Sequence, residues 1–341
     1  MSLTKLQQKL CNILQQGIPI CPRPFAEIAG KLGCEESEVL RHIEHLKEAG
    51  VIRRISAIVN YGALGRVTTL VTAEVPEEKL QEAADAVNSL ENVSHNYLRR
   101  HRYNLWFTLQ GEDDEQIEEV LGRLRGRFGI DFYSLPVRKV FKLDVRFDAE
   151  GEEQFFGDEE ADIAEVKVVE LNEKEMMVLS GLQNEFALNS KPFDFFSVED
   201  LSEEEFINIA QGLIEKGVIR RIAGIVNHRK LGFIANLLFV CEAPDEYVVA
   251  AGRRLARFRA VSHCYERETF GGWPYNLFAM MHGRSDEQIQ KVIKTFTEAE
   301  GIKSFELLPT VRELKKQPVK LLYGDLTDGG SLSSNEIPGE K

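Results

Sequence analysis

The chain has 341 residues, of which 43% are hydrophobic and 28% charged, a composition typical of globular proteins with sizeable cores. Its formal net charge of −13 at pH 7 disfavours long-range attraction to nucleic acid. No apolar run reaches the roughly 18 residues of a membrane span, the N-terminus lacks a signal-peptide pattern, and the five cysteines contain no CxxC pair. We therefore expect a cytoplasmic protein without a membrane anchor, a disulfide framework or a zinc site.

Residues 1–60 predict a winged helix-turn-helix domain. Three helices, suggested by apolar residues at helical spacing and ended by Gly50, precede two paired strands between Val51 and Asn60. The third helix is acidic, with five glutamates against two basic residues from Glu35 to Glu48. A helix that enters the major groove normally carries Arg or Lys, so we expect a scaffold or dimerisation surface rather than DNA binding.

Residues 61–147 predict a ferredoxin-like domain. Strands are expected at 67–75, 93–99, 103–110 and 131–143, and helices at 77–90 and 114–128, which is a βαββαβ order. The acidic, glycine-containing segment that follows, at 148–166, is typical of a linker.

The second half repeats the first. The motif Gly50–Ile55 recurs 167 residues later as Gly217–Ile222, and Val93-Ser94-His95 recurs as Val261-Ser262-His263. The expected fold is therefore α+β, a tandem repeat of winged helix-turn-helix and ferredoxin-like domains that forms an intramolecular pseudo-dimer. The second half is expected to comprise a helix-turn-helix domain, a ferredoxin-like domain and a disordered tail, at residues 167–227, 228–323 and 324–341.

Candidate chemistry concentrates on the hairpins of the two ferredoxin-like domains, at 94–107 and 262–278. The first hairpin carries two His, three Arg, two Tyr and one Trp. His95, Tyr97 and Arg99 share one strand face because side chains alternate along a strand. Guanidinium groups capture carboxylates and aromatic rings suit flat ligands, so these residues favour a planar, polycarboxylated ligand.

Simpler interpretations remain open for each residue type. The aromatic residues fit half-buried strand positions, each histidine fits a structural role, and the arginine pairs at 53–54 and 220–221 fit solvated charges. The residues alone therefore establish no more than a binding site for an anionic aromatic ligand.

Motifs in both halves resemble the siroheme decarboxylases, two-subunit enzymes of heme biosynthesis whose fold is similar to leucine-responsive and AsnC-type regulators. Each half carries the pattern of a different subunit type, so the chain resembles a fused pair. Tyr61 stands where the second half has His228, and His101 has no counterpart in the second hairpin. The matching motifs lie at 95–97, 100–108, 135–142, 227–232, 261–267, 272–277 and 312–316.

The resemblance implies a carboxy-lyase, a siroheme decarboxylase that removes the acetate carboxyls at C12 and C18 of siroheme. The products would be 12,18-didecarboxysiroheme and CO2, on the way to heme b or heme d1, with no cofactor beyond the iron of the substrate. The alternative is an AsnC-type transcription regulator that senses heme or porphyrin. The expected partners are the iron tetrapyrrole and, beyond the pseudo-dimer, a second copy of the chain; neither nucleic acid nor a membrane is expected.

The resemblance also implies site residues. His101 and His228 are the principal catalytic candidates, as general acids, as groups that orient the reacting acetate, or as an axial ligand of the substrate iron. His95 and His263 rank second, and no protein-bound metal is expected. The candidates that bind the substrate are Arg99, Arg100, Arg102, Tyr103, Asn104, Trp106, Arg229, Arg267, Trp273, Tyr275 and Asn276.

Overall fold

The computed structural model describes residues 3–151, 155–157, 166–194 and 201–319. The first half contains α1 (Lys5–Gln16), α2 (Pro24–Leu32), α3 (Glu36–Glu48), β1 (Ile52–Val59), β2 (Val67–Ala73), α4 (Glu77–Ser89), β3 (Val93–Arg99), β4 (Leu105–Gly111), α5 (Asp114–Phe128) and β5 (Phe132–Leu143). The second half contains α6 (Glu173–Leu182), α7 (Glu203–Glu215), β6 (Ile219–Val226), β7 (Ala235–Cys241), α8 (Val248–Ala256), β8 (Val261–Arg267), β9 (Leu277–Gly283), α9 (Asp286–Glu300) and β10 (Phe305–Lys316). Both βαββαβ units are confirmed.

The two helical blocks pack into one hydrophobic core. Local signals begin their helices: Thr4 and Gln7 form a capping box at α1, and Ser202 and Glu205 form one at α7. Leu14 of α1 is fully buried and contributes to a cluster that spans both blocks. The pseudo-dimer is therefore joined through shared apolar surface as well as through the chain.

The prediction of two paired strands between Val51 and Asn60 is wrong. These residues form the single strand β1, which pairs antiparallel with β6 of the other half, with Ser56 opposite Ala223. Between Ile52 and Val59 the stretch contains no Gly, Pro, Asn or Asp that would form a hairpin turn, and an equivalent strand from the second half satisfies its backbone. We call the β1–β6 pair the wing sheet.

The two βαββαβ sheets close into one eight-stranded barrel, in the order β10-β3-β4-β2-β5-β8-β9-β7. Closure depends on the two longest strands, because each pairs first within its own half and then across to the other. In β5, residues 132–136 pair with β2 and residues 137–143 pair with β8; β10 pairs in the same way with β7 and then β3. Helices cover the outer faces, and the interior holds side chains from both halves.

The barrel has a wing end and a hairpin end. At the wing end His95 lies opposite Lys316, and His263 lies opposite Leu143. Short 3-10 helices, Tyr61–Leu64 and His228–Leu231, join the wing sheet to the barrel, each followed by a glycine in the left-handed region. Tyr61 and His228 therefore stand at the junction of barrel and wing sheet.

Only part of the expected linker is described, and some of its side chains are packed. Ala149, like Phe147 just before the linker, belongs to the core of the helical blocks, while Phe155 and the partly exposed Phe156 lie against Phe258 of the second half. Residues 152–154 and 158–165, and the tail expected at 324–341, lie outside the described residues. Within the described ranges, no helix combines the length and apolar character needed to cross a membrane.

Candidate active site

The barrel interior, from the wing end to about its middle, holds charged and aromatic side chains from both halves. Asn96 points outward to Asn88 of α4, so its neighbours on β3 point into the barrel. We call this group the wing-side cluster, whose members are Arg53, His95, Tyr97, Arg99, Arg220, His228, His263, Tyr265, Arg267, His282 and Lys316.

Arg99 and Arg267 are buried guanidinium groups related by the pseudo-symmetry. The Nη1 atom of Arg99 donates to the carbonyl of Leu308 at 2.9 Å, and that of Arg267 donates to the carbonyl of Leu135 at 2.7 Å. Their guanidinium carbons lie 5.3 and 4.7 Å from the ring centroids of Tyr97 and Tyr265, respectively. Among the residues that the structure describes, neither arginine has a carboxylate partner, and neither Nε has a hydrogen-bond acceptor.

His95 and His263 are half-buried side chains at the wing end of the barrel. Burial lowers the pKa of His95 to about 3 and that of His263 to about 4, with a contribution from the charge of Lys316 in both cases. Both side chains nevertheless keep part of their surface accessible. Because both side chains lie deep in the protein and yet keep some accessible surface, we infer that they face an internal crevice. Each Nδ1 contacts the neighbouring serine hydroxyl, Ser94 at 2.9 Å and Ser262 at 3.0 Å, which orients the ring.

His228 is buried in an aromatic setting. It is 3% exposed, and its ring centroid lies 5.4 Å from that of Phe147 and 5.0 Å from that of His282. Its Nε2 has no hydrogen-bond partner among the described residues. Burial, followed by the charges of Lys316, Arg229 and Arg53, lowers the pKa of His228 to about 4. The equivalent residue, Tyr61, instead donates its phenol hydrogen to the carbonyl of Val319, so the two halves differ at this position.

Cations outnumber acids at this end of the barrel. Arg53 of the wing sheet contacts Glu313 at 3.7 Å, and Lys316 contacts the same carboxylate at 3.7 Å. Asp144 is engaged by Arg221 at 3.5 Å and also pairs with Arg146. The wing-side cluster itself contains five cationic side chains and no carboxylate, an arrangement suited to a ligand with several carboxylates.

The hairpin end is closed by aromatic rings. Trp273 is 2% exposed and packs against Trp106, with ring centroids 5.5 Å apart, and against Tyr103 at 5.7 Å. His101 lies beside this packing: its Nε2 is 3.0 Å from Glu306, and its Nδ1 accepts a hydrogen bond from the backbone of Tyr103. We call His101, Tyr103, Trp106, Phe270, Trp273, Tyr275 and Glu306 the hairpin-side cluster.

The two histidines ranked first from sequence are therefore not brought together. His101 follows Arg99, which is four residues, or about 13 Å, along β3 from His95 at the opposite end. His228, His95 and His263 share the wing end. All three roles expected for His101, as a general acid, as a group that orients the reacting acetate and as a ligand of the substrate iron, require substrate at the hairpin end. There the aromatic packing leaves Trp106 and Trp273 almost fully buried.

The remaining predicted binding residues are scattered. Asn104 accepts a hydrogen bond from the backbone of Val75 and donates one back, and Asn276 does the same with Ala243, so both amides hold the strand starts. Exposed Arg102 pairs with Glu74, at 2.6 Å. Exposed positions are also occupied by Arg100 and Arg229, and the hydroxyl of Tyr275 reaches Glu306 at 3.2 Å.

Sequence reasoning missed His282, Lys316, Phe147 and the inward role of Arg53 and Arg220. The position of His282 on the barrel-facing side of β9 was a signal that could have been used, since alternation along a strand places it there. No local signal marks Phe147, because its ring packs against residues of the other half and its backbone bonds Gln15, which lies 132 residues earlier in the chain. In the part of the chain that the structure covers, no three His, Cys, Asp or Glu side chains form a metal site.

Comparison with known protein families identifies the ligand-binding domains and the first helix-turn-helix domain. The model of the AsnC-like ligand binding domain matches residues 63–142 and 230–315, and that of the siroheme decarboxylase NirDL-like HTH domain matches residues 7–53. The class is therefore a fused pair of helix-turn-helix and AsnC-like ligand-binding modules.

Full-length relatives narrow the class to one family. The chain is 36% identical over 315 residues to the siroheme decarboxylase of Hydrogenobacter thermophilus, covering 92% of this chain and 93% of the relative. It is 39% identical to the siroheme decarboxylase alpha subunit of Desulfovibrio desulfuricans, covering 42% of this chain and 84% of that subunit. The crystal structure of the siroheme decarboxylase NirDL with an iron-uroporphyrin III analogue is similar with a TM-score of 0.71, at 32% identity, covering 94% of this chain and 96% of that one. This chain belongs to the siroheme decarboxylase family, which confirms the resemblance.

Proposed function

We propose that the protein decarboxylates siroheme at the acetate groups of C12 and C18, with the wing-side cluster as the site of reaction. The observation that carries the proposal is the pair of buried guanidinium groups, Arg99 and Arg267, without a carboxylate partner among the described residues. An unpaired buried charge is costly, so a bound anion that pairs with it is strongly favoured. The carboxylated rim of a tetrapyrrole provides such anions, and a relative of the same fold is known with an iron-uroporphyrin analogue.

The reaction needs different surroundings for different carboxylates. When the bond to CO2 breaks, its electron pair stays on the methylene carbon and is delocalised into the pyrrole; a proton then adds to give a methyl group. A carboxylate paired with a guanidinium is stabilised against this loss, so the arginines hold the carboxylates that do not react. The reacting carboxylate requires desolvation, which the rings of Phe147 and Phe233 beside His228 favour.

His228 is the proposed proton donor. In the free protein its lowered pKa, about 4, makes it neutral at pH 7. A bound polycarboxylate offsets the positive charges of Lys316, Arg229 and Arg53, and thereby raises this pKa toward the range in which imidazolium donates a proton. The free Nε2 of His228 supports this role. His95 and His263, in the same cluster, are second candidates for this role.

The proposal is tested by anaerobic incubation of the full chain with siroheme, followed by mass spectrometry of the extracted tetrapyrrole. We expect a mass decrease that corresponds to two molecules of CO2. His228→Gln should bind siroheme and leave it unchanged, whereas Arg41→Gln, an exposed change on α3, should retain full turnover. A wild-type protein that binds siroheme tightly and returns it intact would contradict the enzyme and favour the heme-sensing regulator.

Several sequence-based expectations stay predictions. They are the ligation of the substrate iron by His101 or His228, the absence of any cofactor beyond that iron, the carboxy-lyase class, a further homodimer, the absence of nucleic-acid binding, and the cytoplasmic location. The catalytic role expected for His101 is likewise untested, and the closed packing around His101 argues against it. Turnover by purified protein without additives tests whether a cofactor beyond the substrate iron is needed. A His101→Gln variant measured alongside tests the role of His101.

A further inference from the structure

We propose that Gln15 of α1 is a positioning residue for the active site, because it fixes Phe147 as the wall that keeps water from His228. The inference rests on the proposed function for its catalytic consequence, but its structural part can be measured without substrate. If the inference holds, the first helix-turn-helix block contributes directly to the active site, whereas a scaffold or dimerisation role was expected from the sequence.

The Gln15 side chain forms two hydrogen bonds with the backbone of Phe147. Its Oε1 accepts from the Phe147 amide at 2.8 Å and its Nε2 donates to the Phe147 carbonyl at 2.9 Å, in the manner of a neighbouring strand. The same Nε2 donates to the carbonyl of Cys11 at 3.1 Å, so the amide is held by its own helix. Gln15 is 3% exposed, and these hydrogen bonds satisfy both ends of its buried amide.

The residues next to Phe147 are also tied to fixed elements. Asn12, one helical turn before Gln15, accepts from the Ala149 amide at 2.9 Å and donates to Asp148 at 2.9 Å. Arg284, at the end of β9, donates to the Asp148 carbonyl at 3.0 Å. The segment after β5 is thus held between α1 and the second half of the barrel.

Held in this way, the Phe147 ring covers the histidines. Its centroid lies 5.4 Å from that of His228, 5.0 Å from that of His282 and 5.1 Å from that of Phe233. Phe147 is 6% exposed and His228 3% exposed, so the ring excludes water from the imidazole. Loss of the two amide contacts frees the backbone of Phe147 and opens that side of the crevice.

The second half contains a related arrangement, which supports a structural role for the Gln15 contact. Gln183 follows Gln15 by 168 residues and likewise donates to the carbonyl four residues earlier, Leu179, at 3.4 Å. Together with Tyr61, it lines a small cavity closed by Pro318 and Val319, the segment that follows β10. In both halves, a glutamine at the C-terminal end of a helix thus stands beside the segment that covers the first residue of a 3-10 helix.

The structural part is tested by the rate at which diethyl pyrocarbonate modifies His228 in the full-length protein, mapped by peptide mass spectrometry. Gln15→Met keeps the length and apolar contacts of the side chain but removes the amide. We expect the rate at His228 to rise about ten-fold or more, as it should in Phe147→Leu. The melting temperature should fall by only a few degrees, because the buried backbone groups of Phe147 lose their partners while the fold is kept. Gln16→Ala, at the exposed neighbouring position on α1, is the matched control and should behave as wild type.

A double variant distinguishes a positioning effect of Gln15 on Phe147 from a general loosening of the protein. In the Phe147→Leu background, Gln15→Met should add little further modification at His228, because both changes act through the same ring. Equal, independent increases in both backgrounds, or no increase in Gln15→Met, would overturn the inference. If the rates behave as expected but siroheme is not turned over even by wild type, the positioning holds and the proposed function fails. With an active enzyme, Gln15→Met should lower kcat by about ten- to a hundred-fold and leave KM nearly unchanged.

Discussion

Replacing His228 by Gln should remove a measurable part of the acid sensitivity of the fold. His228 is 3% exposed, and burial lowers its pKa to about 4 from an ordinary value near 6.5. Between these two values the unfolded chain binds a proton that the folded chain does not, so acid favours unfolding. The stabilising effect is complete above the ordinary pKa and is lost as the pH falls to the folded value.

The size of the effect follows from the two pKa values. Between a pH of about 7.5 and a pH of about 5, the linkage relation assigns His228 a loss of about 2 kcal/mol in the free energy of unfolding. Gln is close in size to His and does not titrate. Any cost of burying its amide is the same at both pH values, so it cancels when the difference between the two pH values is compared.

Urea unfolding, followed by tryptophan fluorescence, measures the difference at the two pH values. The loss on acidification should be about 2 kcal/mol smaller in His228→Gln than in wild type. Tyr61→Gln is the matched control at the equivalent position, because burial raises the pKa of Tyr61 to about 12, far outside this range. The reasoning is refuted if His228→Gln and wild type lose the same free energy on acidification.

Three further predictions concern the binding residues. Arg99→Gln and Arg267→Gln should each weaken binding of iron uroporphyrin about 10- to 100-fold in absorbance titrations, since each removes a charged hydrogen-bond donor; unchanged affinity in both would move the carboxylate site elsewhere. Asn104→Ala should lower the free energy of unfolding by about 1–3 kcal/mol without weakening that binding, because its amide bonds Val75; lost binding in a stable variant would support the substrate role expected from sequence. His101→Gln should keep siroheme turnover near that of wild type, since His101 lies at the closed end; abolished turnover in a folded variant would return it to the catalytic set.

Much of the fold could be predicted from local patterns. The helix α5 illustrates this, because Asp113 caps its first turn, Gly129 ends it in the left-handed region, and its apolar residues recur at helical spacing. Such signals depend on residues close in the sequence, so both βαββαβ units could be placed to within a few residues. The family could also be recognised from short motifs, and a binding site for a carboxylated planar ligand from the residue types of the hairpins.

The tertiary structure alone decided which of these residues meet. His95 and His101 are six residues apart, yet they lie at opposite ends of the barrel, because a strand carries successive residues steadily away from each other. His228 meets His282 because β7 pairs with β9, and it meets Phe147 because β5 of the first half pairs across to β8; neither contact is encoded by a local pattern. The residue types therefore indicated the chemistry of the ligand, whereas the closure of the barrel decided where a ligand of that kind finds unpaired guanidinium groups and buried histidines together.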